Sequence, residues 1–191
     1  MLMEYLEAKT GNFIDLVSEN MFHHMNHLPD LDDFFCTDPL TKDFGQLPSE
    51  RSNRTAILDY IPFEESKFCQ DALKHFGWID AAVLKFTPNT MIDWHIDDKR
   101  RCALNFLLND SDNCFTFIRK NIDRWNFNVA EINYIRRRPI LIDTTNEHTH
   151  INYNNSHTRF VLSVSFGNKP DKASYQEVKE WLLKYNCTTY M

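Results

Sequence analysis

From residue 80 to residue 166 the apolar side chains keep a period of two, in short runs broken by turn residues. Alternation of this kind belongs to strands that bury one face and leave the other to a different environment. Eight runs can be delimited, at about 80–87, 91–97, 102–108, 114–119, 129–135, 139–143, 148–154 and 159–166. Several are separated by turn pairs: Pro88-Asn89, Asn109-Asp110, Arg138-Pro139 and Asn155-Ser156. Eight short strands in fewer than 90 residues predict a mainly β fold, a sandwich or jelly roll, with flanking helices.

The period returns to 3.6 on both sides of this block. Phe68, Ala72, Leu73 and Phe76 recur at helical spacing, and Gly77 follows as a stop. Ser174 and Glu177 form an S-x-x-E capping box ahead of an apolar stripe at Tyr175, Val178, Trp181, Leu182 and Tyr185. Residues 1–55 read as irregular with short helical pieces, and "MFHHMNH" places His23, His24 and His27 at near-helical spacing on a solvated surface. No repeat or linker interrupts the chain. The expectation is a single domain over 1–191: an irregular and helical part at 1–78, a β core at 79–168 and a C-terminal helix at 169–191.

Bulk properties narrow the function. A net charge of −6 argues against a nucleic-acid partner, which favours basic surfaces. Charge is uneven. Asp30, Asp32, Asp33, Asp38, Asp43 and Glu50 face only Lys42 in one stretch; Arg119, Lys120, Arg124, Arg136, Arg137 and Arg138 outnumber Asp123 and Glu131 in another. Two solvated surfaces, or a basic rim for an acidic substrate, account for that pattern. Five scattered cysteines (Cys36, Cys69, Cys102, Cys114, Cys187) without a C-x-x-C pair fit free thiols in a reducing compartment. No signal-like or membrane-length apolar segment is present, so a soluble cytoplasmic protein is expected.

The chemistry concentrates in "MIDWHIDD". Alternation sends His95 and Asp97 to one face, where an imidazole and a carboxylate supply two ligands to one metal. A third would come from a neighbouring strand, where His148 and His150 are available. Two imidazoles and a carboxylate make the facial triad, which suits non-haem Fe(II) and leaves positions open. Arg159, 11 residues after His148, opens the last strand; a buried guanidinium there needs an anion and matches a carboxylate with two parallel bonds. Trp94 and Ile96 face the other way and are expected in the core. Asp93, on the face of His95, reads as a strand-edge carboxylate or an outer partner of a ligand.

On these residues the chain resembles the Fe(II)- and 2-oxoglutarate-dependent dioxygenase superfamily. The resemblance runs from Phe86 to Phe166, on "FTPNTMIDWHIDDKRRCALNFLL" and "PILIDTTNEHTHINYNNSHTRFVLSVSF". The second segment is similar to the aspartyl/asparaginyl β-hydroxylase-like branch, with Asp143, His148, Asn152 and Arg159 in its D-x-x-x-x-H-x-x-x-N…R element. The resemblance implies a double-stranded β-helix (jelly roll, cupin-like), with Fe(II) on His95, Asp97 and His148. It implies 2-oxoglutarate as cosubstrate, its distal carboxylate on Arg159, with O₂ as oxidant and succinate and CO₂ released on hydroxylation of a substrate C–H. His148 keeps the family spacing to Asp143 and Asn152; His150 competes, with an equivalent spacing to Asn154. Asn105 stands where relatives place a polar group toward the cosubstrate, or is a strand Asn bonded to backbone. Ser163 and Ser165 share the face of Arg159. Prolyl hydroxylases usually carry Lys in place of Arg159, and nucleic-acid demethylases a second Arg where this chain has Ser165. A protein side chain or a small acidic molecule is therefore the expected substrate, met by Lys99, Arg100, Arg101 and the arginines at 136–138. A cupin-like Zn or Mn isomerase or hydrolase, and an inactive binding module, are the rival readings.

Overall fold

The computed structural model describes residues 21–26, 28, 55–59, 66–109, 112–122, 126–167 and 172–185. The acidic stretch of residues 30–50, His27, Arg124, Cys36 and Cys187 lie outside them.

All eight expected strands form: β3 (Ile79–Phe86), β4 (Thr90–His95), β5 (Cys102–Leu107), β6 (Cys114–Asn121), β7 (Phe127–Glu131), β8 (Pro139–Asp143), β9 (Glu147–Asn152) and β10 (Arg159–Phe166). Two more, β1 (Phe22–His24) and β2 (Thr55–Asp59), fall in the stretch read as irregular. His23 and His24 therefore lie on a strand, not a helix. β1 is recruited by the edge of β8, where His23 stands opposite Leu141, and β2 by the edge of β3. Such short pieces carry too little pattern of their own; a preformed edge selects them.

The strands make a six-stranded sheet in the order β1-β8-β5-β10-β3-β2 and a four-stranded sheet in the order β4-β9-β6-β7, all pairs antiparallel. Strands consecutive in sequence mostly alternate between the sheets, so the chain winds as a jelly roll, a double-stranded β-helix of cupin type.

Helix α1 (Lys67–Phe76) starts where the Ser66 side chain accepts from the Cys69 N–H at 3.2 Å. It stops at Gly77, whose φ of 71° a side chain would strain and whose N–H returns to the Leu73 carbonyl. Helix α2 (Tyr175–Lys184) carries the capping box, with Ser174 and Glu177 bonded reciprocally. Both helices pack on the outer face of the six-stranded sheet. There Phe68, Cys69, Ala72, Tyr175, Val178 and Leu182 meet Leu104, Phe106, Leu141, Leu162, Val164 and Phe166 in the largest apolar cluster. Burial pushes the thiols of Cys69 and Cys102 up to about 11 and about 12, so both behave as small apolar groups. Among the described residues no helix is long and apolar enough to cross a membrane.

Two expectations need correction. Ile96 is 52% exposed instead of buried, because β4 ends at His95 and the chain leaves the sheet there. The strand placed at 129–135 ends at Glu131, and residues 132–135 run on as a connection that carries Tyr134 into the barrel, where it packs with Leu107 and Val161.

Candidate metal centre

The inner faces of the two sheets supply the site. On β9, His148, His150 and Asn152 are buried, two residues apart. On β4 the pairing with β9 runs Met91↔Ile151, Ile92↔His150, then slips, and resumes with His95↔His148. The slip is a bulge, and the Thr149 hydroxyl donates to the Ile92 carbonyl beside it. It turns Asp93 out to solvent and sets His95 directly opposite His148, ring centroids 4.3 Å apart.

Asp97 reaches the same place by a different route from strand alternation. It lies two residues past the end of β4, in a loop held by its own N–H on the Thr144 carbonyl (3.2 Å) and by Arg100. Its Oδ1 sits 3.8 Å from His95 Nε2 and 3.9 Å from His148 Nε2. Ligand atoms of the three residues all lie within 4.8 Å of one another, the spacing of donors around one ion.

The protons are arranged for that use. His95 Nδ1 bonds the Asp93 carbonyl at 2.8 Å and His148 Nδ1 the Asn146 carbonyl at 3.1 Å. A carbonyl only accepts, so both Nδ1 atoms carry hydrogen and both Nε2 lone pairs face Asp97. Asp93 thus supports His95 through its backbone, not its carboxylate. Burial lowers the pKa of His148, against the opposing pull of Asp97, which favours the uncharged ring a metal requires. The donor set fits a divalent ion with room for further ligands.

His150 stands outside the cluster. Its ring lies 6.4 Å from that of His95, its Nδ1 bonds Thr116 Oγ1 at 3.0 Å, and burial holds its pKa well below the ordinary value.

Arg159 is 2% exposed, inside the barrel. One Nη donates to the Phe115 carbonyl at 3.2 Å, the guanidinium lies 4.9 Å over the Tyr134 ring, and its buried Nε has no partner. No carboxylate pairs with it among the described residues. Burial lowers its pKa, which states the same cost from the proton's side. A buried charge without a counter-ion is expensive.

Asn105 and Ser163 stand opposite each other on β5 and β10, facing inward. The Ser163 hydroxyl donates to Asn105 Oδ1 at 2.6 Å, and Asn105 Nδ2 donates to the Tyr134 phenol at 3.1 Å, so Asn105 bonds side chains and not backbone through its amide. Arg100 bonds Asp97 Oδ2 through Nε (2.6 Å) and Ser163 through Nη1 (2.6 Å), with Ser165 at 3.4 Å. Lys99 and Arg101 are exposed beside it. Arg119 is taken by Glu147 in two bonds and stacks over Trp94, outside the barrel. The Asp143 carboxylate caps the turn at Thr145, and the Asn152 amide ties β9 to the carbonyls of Phe86, Thr87 and His157. These two motif positions hold the strands that carry His148 and Arg159. The sequence does not single out Tyr134 or Thr116, and it suggests Arg100 as one of the charges that meet an acidic substrate, whereas Arg100 bonds Asp97 and Ser163. Nothing local marks them, since each acts across the barrel.

No family model matches the chain, and no curated protein does. Among solved structures it is similar to a Pseudomonas putida prolyl-4-hydroxylase, at 14% identity over 82% of this chain and 97% of that one, TM-score 0.54. A 2OG-Fe(II) oxygenase-family oxidoreductase from Burkholderia pseudomallei matches at 13% identity over 67% and 77%, TM-score 0.46. An oxalate oxidase in complex with glycolate matches at 10% identity over 83% and 78%, TM-score 0.45. At such identities the likeness speaks to the fold alone.

Proposed function

We propose that this chain is a non-haem Fe(II)- and 2-oxoglutarate-dependent oxygenase, closest in kind to the aspartyl/asparaginyl β-hydroxylases, acting as one domain over 1–191. The observation that carries this reading is Arg159, a buried guanidinium without an anion, in the same barrel as the His95–Asp97–His148 cluster. A metal site alone is compatible with many chemistries; a metal site and a buried guanidinium without a counter-ion in one barrel favour a chelating acid.

In this reading His95, Asp97 and His148 hold Fe(II), and Arg159 holds the distal carboxylate of 2-oxoglutarate. The chemistry such a centre supplies is oxidative decarboxylation by O₂ to succinate and CO₂, coupled to hydroxylation of a substrate C–H. The protein's share is positional. Carbonyls on both Nδ1 atoms keep the two Nε2 lone pairs aimed inward. Arg100 occupies Asp97 Oδ2 and leaves Oδ1 to the metal. Phe86, Leu107 and Val161, packed with Tyr134, exclude water from the interior, which strengthens the grip of Arg159. Asn105 and Ser163 form the wall of the cosubstrate site. Exposed Lys99 and Arg101 favour an acidic substrate, a protein side chain or a small molecule, with no role for membrane or nucleic acid. Free thiols at Cys69 and Cys102 agree with a reducing, cytoplasmic setting.

The test is anaerobic addition of Fe(II) and then 2-oxoglutarate. A weak visible absorption band is expected on the second addition, and its loss in Arg159→Ala. A wild-type protein that binds Fe(II) and shows no response to 2-oxoglutarate would sink the reading.

A further inference from the structure

β7 is an outer edge of the four-stranded sheet and pairs there with β6 alone. Its two hydrogen-bonding sides can be told apart. The Ile122 N–H donates to the Asn126 carbonyl and the Ile132 N–H to the Thr116 carbonyl, each at 2.8 Å. Along an antiparallel ladder the residues bonded to one neighbour alternate, so Asn126, Asn128, Ala130 and Ile132 turn their backbone groups to β6. Phe127, Val129 and Glu131 turn theirs away from it, and among the described residues nothing meets them.

A free row of N–H and C=O groups is a template for another strand, and natural edges are usually blunted by lysine, proline or a bulge. β7 runs FNVAE, with neither lysine nor proline, and its register with β6 is unbroken from Asn121↔Phe127 to Phe117↔Glu131. On the outer face Phe127 and Val129 are 50% and 49% exposed. Glu131, exposed beside them, has no cation among the described residues. Arg119, across from Val129 on β6, lies 5.1 Å from the centre of the Phe127 ring. Glu147 takes its Nε and Nη2, and its Nη1 has no partner among the described residues.

We propose that β7 pairs with β7 of a second copy of this chain, antiparallel about a two-fold axis at Val129, and so joins two four-stranded sheets into one. The strand is complementary to itself in this arrangement. Val129 stands opposite Val129, and Phe127 of each copy stands opposite Glu131 of the other. All three residues turn their backbone groups to the partner, so each of these is a hydrogen-bonded pair that exchanges both N–H···O bonds. Any other register engages fewer of the three, and one that sets Glu131 against Glu131 opposes like charges. On the outer face the two Val129 side chains touch. Glu131 of each copy lies beside the Phe127 ring over which the other copy's Arg119 sits, so an acid without a cation meets a guanidinium with a nitrogen to spare. The contact is small and belongs with weak, reversible interfaces. A two-fold axis closes on itself, so assembly stops at two copies. Neither the metal cluster nor Arg159 takes part, and the proposal stands apart from the oxygenase reading.

Sedimentation velocity of the full chain should show a reversible dimer, its share rising between about 1 and 100 μM. Val129→Pro removes a donor at the centre of the contact and keeps the bonds from β7 to β6, because the 129 N–H faces away from β6. It should remain monomeric over that range, with the circular dichroism of the wild type. Glu131→Arg, which sets an arginine against Arg119 of the other copy, should weaken association about tenfold. Mild oxidation of Val129→Cys should give a covalent dimer that the wild type does not, since Cα atoms in a hydrogen-bonded pair lie about 5.5 Å apart, within reach of a disulfide. Ala130→Cys, whose side chain packs inside the barrel, should give none. A wild type still monomeric at about 200 μM overturns the proposal. So does a dimer that survives both Val129→Pro and Glu131→Arg, or growth beyond two copies.

Discussion

The two faces of β10 have little in common. Leu162, Val164 and Phe166 point outward into the helical layer, in the largest apolar cluster of the molecule. Arg159, Ser163 and, at the far end, Ser165 point inward, four and then two residues apart: Arg159 brings a guanidinium with no counter-ion among the described residues, Ser163 bonds the Asn105 amide, and both serines meet Arg100. One strand therefore contributes apolar burial on one side and carries a cost on the other. The comparison teaches that stability and chemistry are separated here by the two-residue pleat of a strand, not by distance along the chain. A dry outer layer can offset a buried charge inside because both belong to one sheet.

The sharpest way to test that separation is to remove one group from each face. His148→Ala takes a donor from the inner side. Metal affinity should fall by more than the roughly 100-fold that loss of an outer partner costs, with the thermal midpoint of the metal-free protein little changed. Phe166→Ala opens the outer layer against Phe76. It should cost about 3–5 kcal/mol in denaturant unfolding, and metal affinity of the folded fraction should stay near wild type. If either variant moved both quantities equally, the faces would not be independent.

Arg159→Met is expected to go the other way from an ordinary core change. Removing a buried charge that has no counter-ion should raise the stability of the metal-free protein by on the order of 1 kcal/mol, while 2-oxoglutarate binding is lost. A loss of stability would mean that the Phe115 carbonyl and the Tyr134 ring already compensate the charge.

Acid sharpens the contrast further. His148 and His150 have folded-state pKa values lowered by burial from 6.5. Between the lowered values and 6.5 the unfolded chain binds more protons than the folded one, so stability rises with pH across that window. The contribution is complete above about 6.5 and is lost as pH falls through the folded values. Unfolding curves of the metal-free protein at stepped pH should show this fall, and His150→Phe should flatten it. The smallest effect belongs to the outer layer: Ser174→Ala removes the cap of α2 and should cost about 1 kcal/mol without touching metal binding.

Much of this was legible in the residues. Alternation located all eight core strands, because a strand with two different environments on its faces must alternate. Gly77 and the Ser174–Glu177 box located a helix end and a helix start, because caps satisfy backbone groups within four residues. The short strands β1 and β2 escaped, since each exists only because a neighbour offers an edge. The pairing of His95 with Asp97 was read for an insufficient reason: alternation aligned them on paper, whereas a bulge sets His95 and a loop clamped by Arg100 sets Asp97.

By itself, then, the sequence determined which side chains face inward along the regular strands, for that depends only on the strand period, and which donor types are available there; the bulged end of β4 escaped it. Only the tertiary structure decided that His148 and not His150 stands across from His95, that Arg100 serves Asp97, and that Tyr134 links the sheets. Those are matters of register and of contact between distant segments, and a periodic pattern is blind to both because shifting a strand by two residues leaves the pattern unchanged.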